Sequence, residues 1–346
     1  MKSLRSGFAL LTAIALLMPG CTSIAVDCKQ AGVFCVGLVT EVGHRDDRSY
    51  NQAAWEGLQQ AKAEGLADWI ASIETVDSRD YEDNIRVLAE AGYDVIVTVE
   101  SGMSEATRST AQDYPGTYFI GLDQDQSENQ EYNPNLVGLV FPEDQIGFLA
   151  GALAASLSQT GQVGAVCASD ALPAMQEYGQ GFQAGAAYVD PAVQTTVLYH
   201  DDVGLDRTFD DPEWGAASAN SLVDDGVDIV FGVGGTTGSN ALVAAVTRGA
   251  YAIGSDTDEY YALPVAAPHL YVSVVKSIAP AIAELVKAAK GARLGEDVFP
   301  TGNYLGQVGL SPYHDLNLSI PDQVKLQMSG LENALRSGEI QTGVSH

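Results

Sequence analysis

The chain has 346 residues, of which 46% are hydrophobic and 36 are glycine. That length exceeds the size at which a single hydrophobic core usually stops growing, so two lobes are expected. Its 45 acidic residues against 17 basic ones give a formal net charge of −28. Such a surface repels nucleic-acid phosphates and anionic lipid headgroups, so neither nucleic acid nor a lipid surface is an expected partner.

The first residues of the sequence predict an export signal. A basic start precedes an apolar run over residues 8–18, which is too short to span a bilayer comfortably. Gly20 and Cys21 follow, and a small residue directly before a cysteine resembles a bacterial lipobox. We therefore expect a signal peptide over residues 1–20, lipidation of Cys21 and a tether over 21–32. The membrane would then be reached through this lipid alone. The alternative is an ordinary cleaved signal.

Three further cysteines are present, without a CxxC spacing, so zinc binding and thiol redox chemistry are not predicted. Cys35 and Cys167 lie inside apolar, strand-like runs, where a small buried hydrophobic residue is the expected role. A disulfide between Cys28 and Cys35 after export stays open, because their spacing does not decide it.

From residue 33 onward, short apolar runs alternate with longer stretches of helical spacing. The first series predicts strands at 33–40, 70–76, 94–99, 117–122 and 136–141 and helices near 51–64, 81–91 and 102–112. A long amphipathic segment near 143–158 leads to a second series. It predicts strands at 163–167, 193–199, 228–233, 251–254 and 270–275 and helices near 172–188, 213–225, 238–247, 277–289 and 321–336.

Strands alternating with helices indicate an α/β protein with parallel sheets and helices on both faces. Two such series indicate two Rossmann-like lobes. We expect residues 33–142 with about 252–274 in the first lobe, and residues 143–251 with about 275–340 in the second.

Polar chemistry follows four of the predicted strands. Glu41 follows the first strand, Asp123 ends "TYFIGLD", glycines follow "DIVF", and Asp256 ends "YAIGSD". In open α/β sheets, ligands bind beyond the carboxyl ends of the strands. The sequence therefore predicts a ligand cleft between the two lobes.

The chemistry of these carboxylates has two interpretations. As a general acid and base they could serve a hydrolase of nucleosides or glycosides, although no GxSxG, HExxH or GxxxxGK[ST] motif is present. As acceptors they could instead bind the vicinal hydroxyls of a sugar. Tyr50 and Phe209 lie in polar segments and could stack on a flat base, at about 1–3 kcal/mol per base. No metal or cofactor is predicted.

The segment "VTEVGHRDDRSYNQAAWEGL" resembles the opening signature of the basic membrane protein family of lipoproteins, which are similar to purine nucleoside receptors of ABC importers. Further matches follow in order: "AGYDVIV", "DQIGFLAGALAA", "YGQGFQAGAAYVDP", "TFDDPEWG", "DDGVDIVFGVGGTTG", "AIGSDTDEY" and "VSVVKSI". The resemblance implies a type I periplasmic-binding-protein fold, in which two α/β lobes are joined by several crossovers.

The resemblance also implies a site. A nucleobase would lie between Tyr50 and Phe209, Glu41 would contact the base, and Asp256 would bind ribose hydroxyls. The remaining positions carried over are Asn51, Asp123, Gly234, Gly235 and Lys276. Lys276 would donate to the ligand or neutralise neighbouring carboxylates. Glu41 replaces the family's Asp and Tyr50 its Phe, so base selectivity is expected to differ more than stacking.

Two residues of the same loop, Asp46 and Asp47, and also Asn51, could instead cap the helix that begins near Tyr50. The resulting interpretation is an exported, lipid-anchored, non-catalytic receptor. It would bind a nucleoside, with a purine favoured, by lobe closure and deliver it to an ABC permease. The alternatives are the extracytoplasmic hydrolase, acting through Glu41, Asp123 or Asp256, and a sensory receptor for another small metabolite.

Overall fold

The computed structural model describes residues 26–127, 133–201, 203–292 and 302–344. The predicted signal peptide and Cys21 lie outside these residues. Within them, no helix combines the length and the apolar character needed to cross a bilayer.

The first half of the chain alternates strands and helices as the sequence predicted. Its elements are β1 Cys35–Val42, α1 Tyr50–Ala63, β2 Trp69–Thr75, α2 Tyr81–Glu90, β3 Val95–Val99, α3 Ser104–Asp113, β4 Tyr118–Leu122 and β5 Leu136–Val140. The second series is α4 Glu143–Leu157, β6 Gln162–Cys167, α5 Pro173–Val189, β7 Gln194–Tyr199, α6 Leu205–Thr208, α7 Pro212–Asp224, β8 Ile229–Val233, α8 Gly235–Thr247, β9 Tyr251–Asp256, α9 Glu259–Ala262 and β10 Leu270–Lys276. The chain continues through α10 Ile278–Lys290, β11 Asn303–Leu305, β12 Val308–Leu310 and α11 Asp322–Arg336.

The strands form two six-stranded sheets. The first has the order β11-β5-β4-β3-β1-β2, and the second has the order β12-β10-β9-β8-β6-β7. Neighbouring strands run parallel throughout, except that β12 is antiparallel to β10. The predicted α/β class with parallel sheets is confirmed.

The predicted division of the C-terminal half between the lobes is wrong. Residues 252–274 were assigned to the first lobe, but β9 and β10 pair within the second sheet. Conversely, α10 was assigned to the second lobe but packs on α1 of the first. There Lys290 Nζ donates to the carbonyl oxygen of Gly65 at 3.1 Å. A strand's apolar pattern shows that it is buried but not in which sheet, because both sheets bury both faces.

Two three-residue strands were not predicted, since they are too short to show a period. β11 joins the edge of the first sheet beside β5, and β12 joins the edge of the second beside β10. Within the described residues the chain therefore passes between the lobes three times, between β5 and α4, between β10 and α10, and between β11 and β12. These connections bring both sheets to one cleft.

The structure decides the disulfide that the sequence left open. Cys35 is buried as predicted, and its sulfur is bonded to that of Cys28. This bond joins residue 28 to the start of β1, so the predicted tether is attached to the first lobe from residue 28 onward. Cys167 is a free, buried thiol whose pKa burial raises to about 12, which fits an inert core residue.

The helices α4 and α5 pack with their backbones almost in contact. Gly147 and Gly151 of α4 face Gly181 and Gly185 of α5, and a Cβ at any of the four would overlap backbone atoms of the other helix. This close approach places the N-terminus of α4, with Glu143, against the cleft.

Candidate ligand-binding site

A cavity of about 1170 Å³ lies between the lobes. That volume is slightly above the 300–1,000 Å³ typical of small-molecule sites, as suits an open cleft. Its walls include residues at the carboxyl ends of β1, β3 and β4 from the first sheet and of β8, β9 and β10 from the second. The strand ends that the sequence predicted to converge do meet here.

Eight of the nine ligand-binding positions predicted from the resemblance line this cavity. They are Glu41, Tyr50, Asp123, Phe209, Gly234, Gly235, Asp256 and Lys276. The exception is Asn51, which is 2% exposed and does not line it. The Asn51 Oδ1 accepts from the Glu41 backbone N–H at 3.0 Å, and its Nδ2 donates to the His44 carbonyl at 3.4 Å. Asn51 therefore holds the loop in place behind the cavity wall.

The helix-capping alternative is confirmed for Asp47. Its carboxylate accepts from the backbone N–H groups of Ser49, Asn51 and Gln52 at 2.7, 3.2 and 3.1 Å. A carboxylate here satisfies free N–H groups and favours the positive end of the helix. Asp46 is exposed and lies outside the cavity wall. The acidic loop that opens the family signature thus serves partly to start α1 and thereby to orient Tyr50.

Lys276 lies at the centre of the polar residues, with its side chain 3% exposed. Its Nζ is 2.7 Å from Asp123 Oδ2, 3.1 Å from Glu143 Oε1 and 3.7 Å from Asp256 Oδ1. Burial acts to lower the pKa of Lys276, but the facing carboxylates, Asp123 foremost, raise it well above its ordinary value. Lys276 is therefore a fixed cation that neutralises its neighbours, one of the two roles foreseen for it.

Aromatic rings surround this cation. The Nζ of Lys276 lies 5.5 Å from the ring centroid of Tyr50, 5.4 Å from that of Phe141 and 6.0 Å from that of Tyr178. These distances fall within the range of cation–π attraction. The Tyr178 hydroxyl also donates to Asp256 Oδ1. Tyr178 was not predicted as a site residue, because its helical spacing matches that of a core position.

Three acidic residues at the strand ends adopt a backbone conformation that non-glycine residues rarely take. Glu100, Asp123 and Asp256 have φ values of 72°, 54° and 67°. Each such residue costs about 1–3 kcal/mol, and such residues cluster at functional sites. Here the conformation marks the ends of β3, β4 and β9, all of which border the cavity.

Three partly buried glutamates of the cavity wall were not predicted from the sequence. Burial, followed by the charges of Asp123 and Glu41, raises the pKa of Glu100 to about 8. Burial is also the largest cause for Glu143, whose pKa rises to about 7, and for Glu259, whose pKa rises to about 8. Glu100 could have been found, because it directly follows β3 and obeys the strand-end rule.

The loop that carries Phe209 is fixed from two sides. The Phe209 carbonyl accepts from the Thr237 backbone N–H at 3.3 Å, which joins the loop to the first turn of α8. Gly234 and Gly235 have φ values of 97° and 59°, and a Cβ at Gly235 would lie 2.5 Å from that carbonyl. Asp211, two residues after Phe209, caps α7 by accepting from the Trp214 N–H at 3.0 Å. The glycines thus allow a turn that presents Phe209 to the cavity.

The cavity is strongly acidic. Among the described residues, nine aspartates and glutamates line it, against one lysine and no arginine. Because Lys276 is already held by three carboxylates, an anionic ligand would meet repulsion without a free cation. A ligand rich in N–H or O–H donors suits this lining, since a carboxylate only accepts hydrogen bonds. The described residues include no group of three His, Cys, Asp or Glu side chains arranged to hold a metal ion.

Comparison with known proteins agrees with this architecture. Residues 34–326 match the family model described as ABC transporter substrate-binding protein PnrA-like. The CD4+ T-cell-stimulating antigen of Listeria monocytogenes is 27% identical over 310 residues, 83% of this chain and 82% of its own length. Basic membrane protein A of Borreliella burgdorferi is 29% identical over 231 residues, 66% of this chain and 65% of its own.

Among solved structures, an ABC transporter solute-binding protein from Conexibacter woesei superposes with a TM-score of 0.71 at 22% identity, covering 89% of this chain and 98% of that one. This likeness concerns the fold, and it confirms the expected type I periplasmic-binding-protein architecture of two α/β lobes. The family model spans most of the chain. The chain therefore belongs to the PnrA-like family of ABC transporter substrate-binding proteins, as its resemblance to the basic membrane proteins predicted.

Proposed function

We propose that the protein is a lipid-anchored extracytoplasmic receptor that binds a nucleoside, with a purine nucleoside favoured, and delivers it unchanged to an ABC permease. The observation that carries this proposal is the pairing of two kinds of group in one cavity. An aromatic ring from each lobe, Tyr50 and Phe209, accompanies carboxylates from each lobe, Asp123 and Asp256. Flat rings suit a base, and carboxylates suit the hydroxyls of ribose.

The arrangement also supplies a means of closure. Tyr50 and Asp123 belong to the first lobe, whereas Phe209 and Asp256 belong to the second. A ligand that contacts both lobes binds the closed state more tightly than the open one, and so shifts the population toward closure. Binding by residues of both lobes thus couples occupancy to the shape that a permease would recognise.

A thermal-shift screen of the mature domain against nucleosides, bases, sugars and amino acids tests the ligand assignment. A ligand that binds the native state raises Tm by mass action. We expect purine nucleosides to raise Tm in the wild type and in the control Asp322→Ala, whose side chain is 96% exposed on α11. Phe209→Ala and Asp256→Ala should lose the shift. A rise with a sugar or amino acid but with no nucleoside would refute the nucleoside assignment.

The hydrolase alternative has one observation in its favour. Glu100, whose pKa burial raises to about 8, lies near Asp123, and a carboxyl that stays protonated beside an ionised one is a pattern of glycoside hydrolysis. Prolonged incubation with the nucleoside that raises Tm, followed by chromatography, separates the two functions. A receptor returns the intact nucleoside, whereas a hydrolase releases the free base and ribose.

Anchoring and transport have separate tests. Mass spectrometry of the membrane-extracted protein should give an N-terminal peptide that begins at a lipidated Cys21, and Cys21→Ala should release the protein from the membrane. Deleting the gene should abolish uptake of the labelled nucleoside by cells. Unchanged uptake would indicate a sensory receptor instead of a transport component.

A further inference from the structure

Asp123 Oδ1 and Glu259 Oε2 are carboxylate oxygens of the cavity wall that are closed to solvent and have no hydrogen-bond partner among the described residues. Asp123 belongs to the first lobe and Glu259 to the second. A buried acceptor left unpaired is destabilising, and more so when it is charged. Two such acceptors, one on each side of a ligand cleft, point to groups that the ligand supplies.

Glu259 is held in a fixed position. It is the first residue of α9, and its backbone N–H donates to Ser273 Oγ of β10 at 3.0 Å. Its Oε1 is 3.5 Å from Ser239 Oγ of α8, at the limit of a hydrogen bond, while Oε2 has no partner. The backbone hydrogen bond to Ser273 and the contact of Oε1 with Ser239 therefore orient a carboxylate whose second oxygen is left without a partner in the cavity wall.

The groups that face Glu259 are acidic or hydroxylic. Asp256 at the end of β9 and Asp258 before α9 both raise its pKa, while Ser239 lowers it, and burial is the largest cause of the net rise to about 8. Asp258 in turn lies 2.8 Å from His314 Nε2. Burial and the two neighbouring carboxylates thus favour the protonated form of Glu259 near neutral pH.

We propose that Glu259 is a ligand-binding residue whose Oε2 accepts a hydrogen bond from an N–H or O–H group of the ligand, across the cleft from Asp123. The proposal deepens the proposed function, on which it rests, by adding a contact in the second lobe. The negative surroundings favour this direction, because a carbonyl or ring-nitrogen acceptor of the ligand would be repelled by Asp256. Glu259 would thus select for ligands that present a donor at this point.

A ligand donor that stabilises the ionised carboxylate lowers the raised pKa of Glu259, so proton release on binding is the first measurement. Titration calorimetry of the wild type with the purine nucleoside that raises Tm, at pH 7 in two buffers of different ionisation enthalpy, gives the number of protons exchanged. We expect net release in the wild type and in the control Glu213→Gln, which is exposed on α7 of the same lobe. Glu259→Gln should release fewer protons while still binding. Equal proton exchange in Glu259→Gln and the wild type would overturn the proposal.

Analogues then identify the donor. Purine riboside lacks only the amino group of adenosine, and 2′-deoxyadenosine and 3′-deoxyadenosine each lack one ribose hydroxyl. We expect the wild type to bind one of these analogues at least about tenfold more weakly than adenosine, and Glu259→Ala to bind that analogue and adenosine alike. The analogue that loses affinity assigns the donor to the base or to the sugar. If Glu259→Ala lowers the affinity for adenosine and for every analogue by the same factor, the substitution has disturbed the structure instead of removing one contact, and the proposal fails.

The two proposals fail separately. If no nucleoside raises Tm in the wild type, the nucleoside function is wrong, and Glu259→Ala is tested with whichever sugar or amino acid does raise it. Unchanged affinity for that ligand in Glu259→Ala would remove Glu259 from the site as well. If nucleosides bind the wild type, and the Glu259 variants match it in both affinity and proton release, the receptor function stands without this contact.

Discussion

Lys276 of the second sheet is joined across the cleft to Asp123 of the first, with Nζ 2.7 Å from Oδ2. The same Nζ lies 3.7 Å from Asp256 Oδ1, on its own side of the cleft. One buried cation therefore forms ion pairs with carboxylates at the strand ends of both lobes. Because a buried charge must be paired to be tolerated, this contact fixes the relative position of the carboxylates that face the ligand.

Replacing Lys276 should destabilise the protein in a pH-dependent way. Removing one partner of a buried ion pair typically costs about 3–5 kcal/mol, so Lys276→Met should lower the free energy of unfolding by about this amount at pH 7.5. The loss should be smaller at pH 5.5, where the unpaired carboxylates take up protons instead. Urea unfolding at both pH values checks this, with Lys287→Met, exposed on α10, as the control. An equal loss at both pH values would contradict the explanation.

The ligand-free protein should lose stability as the pH rises from about 5 to 8. The pKa values of Glu100 and Glu259 are raised to about 8 and that of Glu143 to about 7, all from an unfolded value of 4.5. Over this range the folded state binds more protons than the unfolded state, so the free energy of unfolding falls with pH. Calorimetric Tm values at pH 5.5 and 8.5 test this. The Glu100→Gln variant should show a weaker dependence, and a Tm that rises with pH would refute the prediction.

Salt should stabilise the fold. The net charge of −28 makes like charges repel in the compact state, and salt screens that repulsion. Because the Debye length falls from about 10 Å at 0.1 M to about 3 Å at 1 M, most of the gain should come below 1 M. Tm measured from 0.05 to 2 M KCl, set against a sucrose series of equal osmolality, separates screening from solute exclusion. A Tm independent of KCl up to 1 M would contradict this account.

Gly151→Ala should disrupt the packing of α4 on α5. The added Cβ would overlap the Phe182 carbonyl, so the helices must separate and their shared core must loosen, at a cost of about 1–3 kcal/mol or more. Gly330→Ala is the matched control, because it lies exposed on α11 with open space around it. That change should stabilise the protein by up to about 1 kcal/mol, since alanine is the better helix former. Equal Tm values for the two variants would refute the close-packing argument.

Much of the fold followed from local pattern. The predicted strand at 94–99 is β3 at Val95–Val99, and the predicted helix at 172–188 is α5 at Pro173–Val189. Hydrophobic periodicity and the positions of glycine and proline determine structure over a few neighbouring residues, so they can be read directly from the sequence. The strand-end rule then predicted Asp123 and Asp256 in one cleft, because each sheet presents the carboxyl ends of its parallel strands at one edge and a ligand binds beyond those ends.

The sequence by itself thus determined the element types, the α/β class and the strand-end carboxylates, since these depend on near neighbours. The tertiary structure alone decided that β9 and β10 belong to the second sheet, that α10 packs on α1, and that Cys28 bonds to Cys35. It also assigned Asn51 to support the loop and added Glu259 to the cavity wall. These outcomes depend on groups brought together from distant parts of the chain. Burial between the two lobes then sets the charge and the partners of those groups, and no local sequence period encodes that burial.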